Sequence, residues 1–107
     1  MIKGHKIEKK IDLDYFLELI NNIKEENIIT TKHSFFRLKE SQRKIYSEQI
    51  IKDYILGGKP ILIGIQFNGN YSVFYSHKGL FLKLILDIKT QNINIVTFYI
   101  VDKLPKV

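Results

Sequence analysis

The chain has 107 residues, no cysteine and a formal net charge of +6, from 17 lysines and arginines against 11 acidic residues. Its length and its 45% hydrophobic content are typical of one globular domain with a single core. The absence of thiols excludes disulfides, thiolate catalysis and cysteine-ligated metal. No apolar run reaches the roughly 18 residues that a membrane span needs, and none follows the charged N-terminus, so we expect a cytoplasmic protein with no membrane partner.

Residues 1–11 are polar and basic with scattered isoleucines, and they are predicted to form an arm with no assigned function. From Asp12 onwards the apolar residues recur at helical spacing, at Leu13, Phe16, Leu17, Ile20 and Ile23. Because Asp is a favourable N-cap, this pattern predicts a first helix from Asp12 to about Glu26.

Two further helices are predicted before the middle of the chain. Thr31 can cap the second, and Ser47 can cap the third, which Gly57 and Gly58 end. The helical part of the domain therefore covers residues 12–56.

After Pro60 the pattern changes to alternating or continuous runs of β-branched and aromatic residues, which favour strands. The predicted strands are 61–67, 71–77, 80–88 and 93–101. Short glycine-containing loops join the first three, so these neighbours should be antiparallel. We therefore predict an α+β fold in which N-terminal helices pack on a four-stranded, mostly antiparallel sheet spanning residues 60–101.

The loop lengths predict the strand register and the two faces of the sheet. A three-residue first loop places Phe67 opposite Tyr71, and a two-residue second turn places His77 opposite Leu80. One side of the first three strands is then apolar and should face the helices; it comprises Ile61, Ile63, Ile65, Phe67, Tyr71, Val73, Tyr75, Leu80, Leu82, Leu84 and Leu86.

The last strand can complete this side with Val96, Phe98 and Ile100. Its alternate residues Thr97 and Tyr99, together with Lys83 of the preceding strand, are predicted to lie on the opposite face, away from the helices.

Basic residues are concentrated in the segment predicted to form the second helix. Both arginines of the chain, Arg37 and Arg43, lie in it, and Lys32, Lys39 and Lys44 accompany them. Such a cluster favours a polyanionic partner, although a lysine-rich genome composition explains the net charge equally well.

His33 and Arg37 are four residues apart, so they project from the same side of a helix. An imidazole can transfer a proton near neutral pH, and a guanidinium can hold phosphate oxygens through two hydrogen bonds, so the pair suits phosphodiester chemistry. The same spacing also occurs on solvated helix surfaces.

The remaining polar candidates have a simple structural interpretation beside the functional one. Arg43 can reach the same phosphate or cap the helix C-terminus. Tyr99 can donate a proton, orient a phosphate or stack on a base, although strand tyrosines usually pack in a core. His77, beside a predicted turn, is typical of a polar surface residue. The histidines and carboxylates show no metal-ligand spacing, and no phosphate-binding glycine loop follows a strand, so no metal or cofactor is predicted.

Several short motifs carry a family resemblance. They are Thr31-Lys32-His33 with Arg37, then Arg43-Lys44-Ile45, Ser47-Glu48-Gln49-Ile50, Gly57-Gly58-Lys59 and Ile95-Val96-Thr97-Phe98-Tyr99. In their order and spacing they resemble a small family grouped with the RelE/BrnT-type toxin ribonucleases, over about residues 28–101. The bulky Phe35 and Phe36 after His33, and the first helix, depart from the family pattern.

The resemblance implies a RelE/barnase-like fold and a metal-independent endoribonuclease of a toxin-antitoxin pair. In that reaction the ribose 2′-OH attacks the adjacent phosphate. His33 would act as acid or base, Arg37 and Arg43 would stabilise the phosphorane, and Tyr99 would position or protonate. RNA contacts would come from Lys32, Lys39, Lys44, Lys83 and Thr97. The implied partners are RNA, a cognate antitoxin protein and, as a further candidate, the ribosome. The alternative function is a non-catalytic RNA-binding or protein-interaction module that uses the same basic surface.

Overall fold

The structure is a computed structural model that describes residues 7–30 and 48–105. In chain order its elements are β1 (Ile7–Lys10), α1 (Leu13–Asn21), a 3-10 helix (Glu25–Asn27), β2 (Ile28–Thr30), α2 (Glu48–Gly57), β3 (Leu62–Gln66), β4 (Tyr71–His77), β5 (Leu80–Ile88) and β6 (Ile93–Val101). Neither α-helix of these two ranges has the length and apolar character needed to cross a membrane. The predicted helix that starts at Thr31 lies outside the described residues.

The strands form one six-stranded sheet in the order β1-β3-β4-β5-β6-β2. β2 pairs with β6 in parallel, and all other pairs are antiparallel. The predicted α+β class and the mostly antiparallel pairing are confirmed, whereas the prediction of four strands is wrong. The two additional strands, β1 and β2, form the edges of the sheet.

Both additional strands come from segments without a strand pattern. β1 belongs to the predicted arm, and its residues Glu8, Lys9 and Lys10 are exposed. An edge strand is held by main-chain hydrogen bonds on one side and tolerates charged side chains, so alternation is not required of it. β2 has only three residues, of which Ile28 is buried, and three residues are too few to establish a period.

Both described α-helices lie close to their predicted positions, and α1 is shorter than predicted. α1 begins after Asp12, whose carbonyl accepts a hydrogen bond from Phe16 at 3.1 Å, and it ends at Asn21 rather than near Glu26. α2 is described from Glu48, directly after the predicted cap Ser47, which lies outside the described residues. It ends at the predicted Gly57.

The second hairpin has the predicted register, and the first does not. His77 pairs with Leu80, and the turn residues Lys78 and Gly79 have φ of 48° and 82°, as a two-residue hairpin turn with left-handed backbone requires. In the first hairpin Ile65, not Phe67, pairs with Tyr71. β3 ends at Gln66, so the loop is longer than predicted. A register shift of two residues preserves the faces, so the predicted sides of β3 and β4 hold.

The last two strands contain an irregularity that moves Val96 out of the core. Ile85 pairs with Thr97 and Leu86 with Ile95, which leaves Val96 as an extra residue, 37% exposed. The prediction that Val96 faces the helices is therefore wrong, because a β-bulge removes one residue from the alternation.

The hydrophobic core lies between the two helices and one face of the sheet. Its buried members are Phe16, Ile20, Ile23, Ile28, Ile51, Ile55, Ile63, Val73, Tyr75, Leu82, Leu84, Leu86, Ile93, Ile95 and Phe98. Ile100 packs against this core, as predicted. Three residues predicted for this side, Ile61, Phe67 and Leu80, are instead exposed, because they lie outside the strands or at a strand terminus.

Candidate functional site

The candidate site residues divide between the described and the undescribed parts of the chain. His33, Arg37, Arg43, Lys32, Lys39 and Lys44 lie outside the described residues. The structure describes the remaining three, Lys83 on β5 with Thr97 and Tyr99 on β6. Because Phe98 and Ile100 belong to the helix side, alternation puts Thr97 and Tyr99 on the face opposite α1 and α2, as predicted.

Lys83 is the centre of a row of three cross-strand neighbours. It pairs with Phe74 of β4 on one side and with Tyr99 of β6 on the other. The Lys83 Nζ atom lies 5.6 Å from the centroid of the Phe74 ring, within the range of a cation–π contact. Paired residues on one face have Cβ atoms about 4.5–5.5 Å apart, so the ammonium group and the phenol can reach a common ligand.

The strands that carry this row also position Thr97, in a more buried place. Thr97 pairs with Ile85 and is 6% exposed, whereas Lys83 and Tyr99 are half-buried. Phe74 and Ile85, on the same face, are buried almost completely. Lys83 and Tyr99 are therefore more accessible to a large ligand than Thr97 is.

The chemistry of this row is suited to binding and positioning a phosphodiester. An ammonium group donates hydrogen bonds to phosphate oxygens as a point charge. A phenol can donate a hydrogen bond to the phosphate or stack on a base. We refer to Phe74, Lys83 and Tyr99 as the cross-strand row.

A second polar cluster lies on the helix side of the sheet. The hydroxyl of Tyr54 on α2 is 2.5 Å from Nδ1 of His77 on β4, and it donates a hydrogen bond when Nδ1 carries no proton. The Tyr54 ring is 5.2 Å from the Tyr75 ring and 5.7 Å from the His77 ring, measured between centroids. His77 is thus a half-buried part of the α2–β4 contact rather than a simple surface residue.

The third member of this cluster is unusual because of its hydroxyl. Tyr75 is 1% exposed, and its hydroxyl has no hydrogen-bond partner among the described residues. Burial raises the pKa of Tyr75, since the ionised phenolate would lose its hydration. Sequence analysis did not identify Tyr54 or Tyr75 as neighbours of His77. Each lies at an ordinary core position of its own element, and only the tertiary packing brings them to His77.

The described residues contain no group of three or more histidine, aspartate or glutamate side chains placed to hold a metal ion. Among the residues predicted to form the RNA site, the structure describes only those of the cross-strand row and the neighbouring Thr97.

Comparison with family models identifies the family of the chain. The model of the MJ0788 family matches residues 14–80, which is more than half of the chain. The chain belongs to the MJ0788 family. The family match includes His33, Arg37 and Arg43 and ends before Lys83, Thr97 and Tyr99. No curated protein and no solved structure matches the chain.

Proposed function

We propose that this chain is a toxin-type, metal-independent endoribonuclease with a RelE/barnase-like fold. The observation that carries the proposal is the cross-strand row, in which Tyr99 and Lys83 are direct neighbours on the face opposite α1 and α2. The resemblance of the His33, Arg37, Arg43 and Tyr99 motifs to the RelE/BrnT-type toxins adds the reaction.

Each residue of the proposed site has a separate role. His33 acts as the general base that takes the proton of the ribose 2′-OH, or as the general acid that protonates the leaving oxygen when Tyr99 only positions the phosphate, because imidazole is effective near neutral pH. Arg37 and Arg43 stabilise the charge that develops on the phosphorane. Tyr99 positions the phosphate or protonates the leaving group, and Lys83 holds an adjacent phosphate.

The proposed partners follow from this role. Lys32, Lys39 and Lys44 extend the basic surface along the RNA backbone, and Thr97 contributes to the sheet side of the site. A cognate antitoxin protein would cover this basic surface, and acidic side chains suit it by charge. The ribosome is a further candidate partner, since ribosome-bound mRNA offers the same phosphodiester.

The first experiment expresses wild type and the His33→Ala/Arg37→Ala variant under tight induction and follows growth and RNA integrity. We expect wild type to arrest growth and fragment mRNA, and the variant to do neither at equal expression. Harmless wild-type protein with intact RNA would favour the alternative, a non-catalytic RNA-binding or protein-interaction module.

The second experiment establishes the chemistry with purified protein and a short RNA in excess EDTA. Attack by the 2′-OH leaves a 2′,3′-cyclic phosphate, and a single 2′-deoxy substitution at the cleaved position blocks it. His33→Ala should reduce the rate on the order of 10²-fold or more, as loss of a general acid or base does. Cleavage that stops in EDTA and returns with Mg²⁺ would contradict a metal-independent mechanism.

A further inference from the structure

A cleft opens at the β1 edge of the sheet, on the side of α1 and away from the cross-strand row. Its volume is about 490 Å³, which is within the range of small-ligand sites. The polar and aromatic residues that line it are Lys9 and Lys10 of β1, Asp12 before α1, Tyr15 of α1 and Tyr71 of β4. We refer to these five residues as the edge cleft.

Two phenol rings face the same space in this cleft. Tyr15 is 52% exposed although it lies on the short amphipathic helix α1, and Tyr71 is half-buried. Partial burial, followed by repulsion from the Tyr15 phenolate, raises the pKa of Tyr71. Both rings line the same cleft, so they border one volume rather than two separate surfaces.

The charged residues of the cleft are available to a ligand. Lys9 and Lys10 are exposed, and neither forms an ion pair with any residue in the ranges 7–30 and 48–105. Asp12 precedes α1, but its side chain makes no capping hydrogen bond, so its carboxylate is able to accept one from a ligand. The cleft therefore combines two cationic groups, two aromatic faces and one acceptor.

We propose that the edge cleft binds a nucleotide of single-stranded nucleic acid. The base stacks on Tyr15 and Tyr71, and Asp12 accepts a hydrogen bond from the base or the sugar. Lys9 and Lys10 are consecutive strand residues whose side chains leave β1 on opposite faces, so each contacts a different phosphate of the strand. Aromatic rings interleaved with cationic groups are the usual means of binding single strands, because every base has a π-face and every linkage has a charge. Asp12 opposes a bare inorganic anion, which makes a nucleotide the better match.

The shape of the surface favours a strand that continues beyond the cleft. A smaller neighbouring cleft of about 240 Å³ shares Lys10 and Asp12 and extends towards Pro60 and Leu62. A duplex would hide its bases from Tyr15 and Tyr71, whereas a single strand can present them.

The edge cleft is separate from the proposed cleavage site. Tyr71 of the cleft and Phe74 of the cross-strand row lie on the same strand, β4, but on opposite faces of the sheet. Tyr71 packs against the core on the helix side, whereas the cross-strand row lies on the other face. The inference therefore does not depend on the proposed function, and the chain can bind a strand here whether or not it cleaves RNA.

The test measures fluorescence anisotropy of a labelled 2′-O-methyl RNA octamer, which cannot be cleaved through a 2′-OH, with the full-length chain. Tyr15→Ala should weaken binding at least about fivefold, as loss of one stacking partner does, and Tyr15→Phe should leave it unchanged. Phe67→Ala is the matched control, because Phe67 is 58% exposed and lies outside the cleft.

The charges are tested by the Lys9→Ala/Lys10→Ala variant against Lys24→Ala/Lys103→Ala, which removes two exposed lysines that line neither cleft. Only the cleft variant should reduce the slope of log affinity against log salt, by up to about 1.4, since each contacted phosphate of a single strand contributes about 0.7. Thermal melts of every variant establish that each one is folded.

Two further ligands identify the source of the nucleotide. Displacement of the octamer by a mononucleotide would assign the cleft to one nucleotide unit, and displacement by unlabelled octamer alone would assign it to a strand. The proposal is overturned if Tyr15→Ala and Lys9→Ala/Lys10→Ala bind like wild type, or if both control variants lose affinity equally. A duplex that binds as tightly as the single strand would also overturn it.

Discussion

The two faces of the sheet are built from different kinds of side chain. The helix side has a mostly apolar set, in which Val73 and Leu84 pair across strands and belong to the same buried core as Phe16 of α1. The opposite face carries polar groups among buried apolar ones, including Lys83 beside Tyr99. The centre of the helix side serves stability, with the edge cleft at its β1 margin, whereas the opposite face holds ligand-accessible groups within the central strands.

This difference separates residues whose loss should unfold the chain from residues whose loss should affect only ligands. A buried apolar side chain contributes through its contacts, so truncation leaves a cavity. A half-buried lysine or tyrosine at a strand position contributes less to stability, because water replaces much of what is lost. The predictions that follow test the separation in order of expected effect on stability.

The largest effect is expected for Phe16→Ala on the helix side. Phe16 is completely buried, and its truncation should lower the free energy of unfolding by about 3–5 kcal/mol. Urea denaturation followed by circular dichroism measures this loss. Tyr15→Ala, at the adjacent and exposed position, should change the stability by no more than about 0.5 kcal/mol. Equal losses in the two variants would mean that α1 does not bury its Phe16 side against the sheet.

A smaller loss is expected for Gly64→Ala at the junction of β1 and β3. A Cβ atom at Gly64 would clash with Cγ2 of Ile7, so the Ile7 side chain or the β1 backbone would have to move. We expect a loss of about 1–3 kcal/mol, as in other overpacked sites. The double variant Ile7→Ala/Gly64→Ala should lose less than the sum of the two single variants, because the clash is absent. Additive losses would show that the clash is not what destabilises Gly64→Ala.

The Tyr54–Tyr75–His77 cluster should give a pair of opposite, small effects. Tyr75→Phe removes a buried hydroxyl that no described residue satisfies, so the stability at neutral pH should stay equal or rise by about 1 kcal/mol. Tyr54→Phe removes the hydrogen bond to His77 and should cost about 1 kcal/mol. Destabilisation by Tyr75→Phe comparable to that by Tyr54→Phe would indicate a partner for the Tyr75 hydroxyl.

The same tyrosine predicts a pH dependence. Because burial raises the pKa of Tyr75 above the usual phenol value of about 10, the unfolded chain releases this proton at lower pH than the folded chain. The contribution of this phenol to the free energy of unfolding is therefore fully present below about pH 10. Above that pH the contribution falls, by at most about 1.4 kcal/mol per pH unit. Urea midpoints measured from pH 8 to pH 11 should fall less steeply in Tyr75→Phe than in wild type.

The sequence predicted the central strands because their side chains carry a period. β4, β5 and β6 have the predicted bounds, and β3 differs by one residue at each end. The dipeptide Lys78-Gly79 predicted a two-residue turn because such turns need left-handed backbone, which glycine adopts readily. Both residues have positive φ in the structure.

Other features depend on contacts that no local pattern records. β1 is a strand because the main chain of β3 was available to pair with it, and the bulge at Val96 depends on the pairing of β5 with β6. The predicted face of Tyr99 held because Phe98 and Ile100 follow the bulge and keep their alternation. The sequence could not predict that Tyr54 lies beside His77, or that Tyr15 and Tyr71 line one cleft, since tertiary packing alone brings these residues together.

The most direct test of the account compares removal of one hydroxyl on each face. The measurement is the rate at which 2′,3′-cyclic phosphate ends form from a short RNA in EDTA, with Tyr99→Phe and Tyr54→Phe as the paired variants. We expect Tyr99→Phe to lower the rate on the order of 10²-fold, as loss of one transition-state donor does, and Tyr54→Phe to leave the rate of the folded protein unchanged. A Tyr99→Phe rate equal to that of wild type, with cleavage present, would contradict the claim that the face opposite α1 and α2 carries the chemistry.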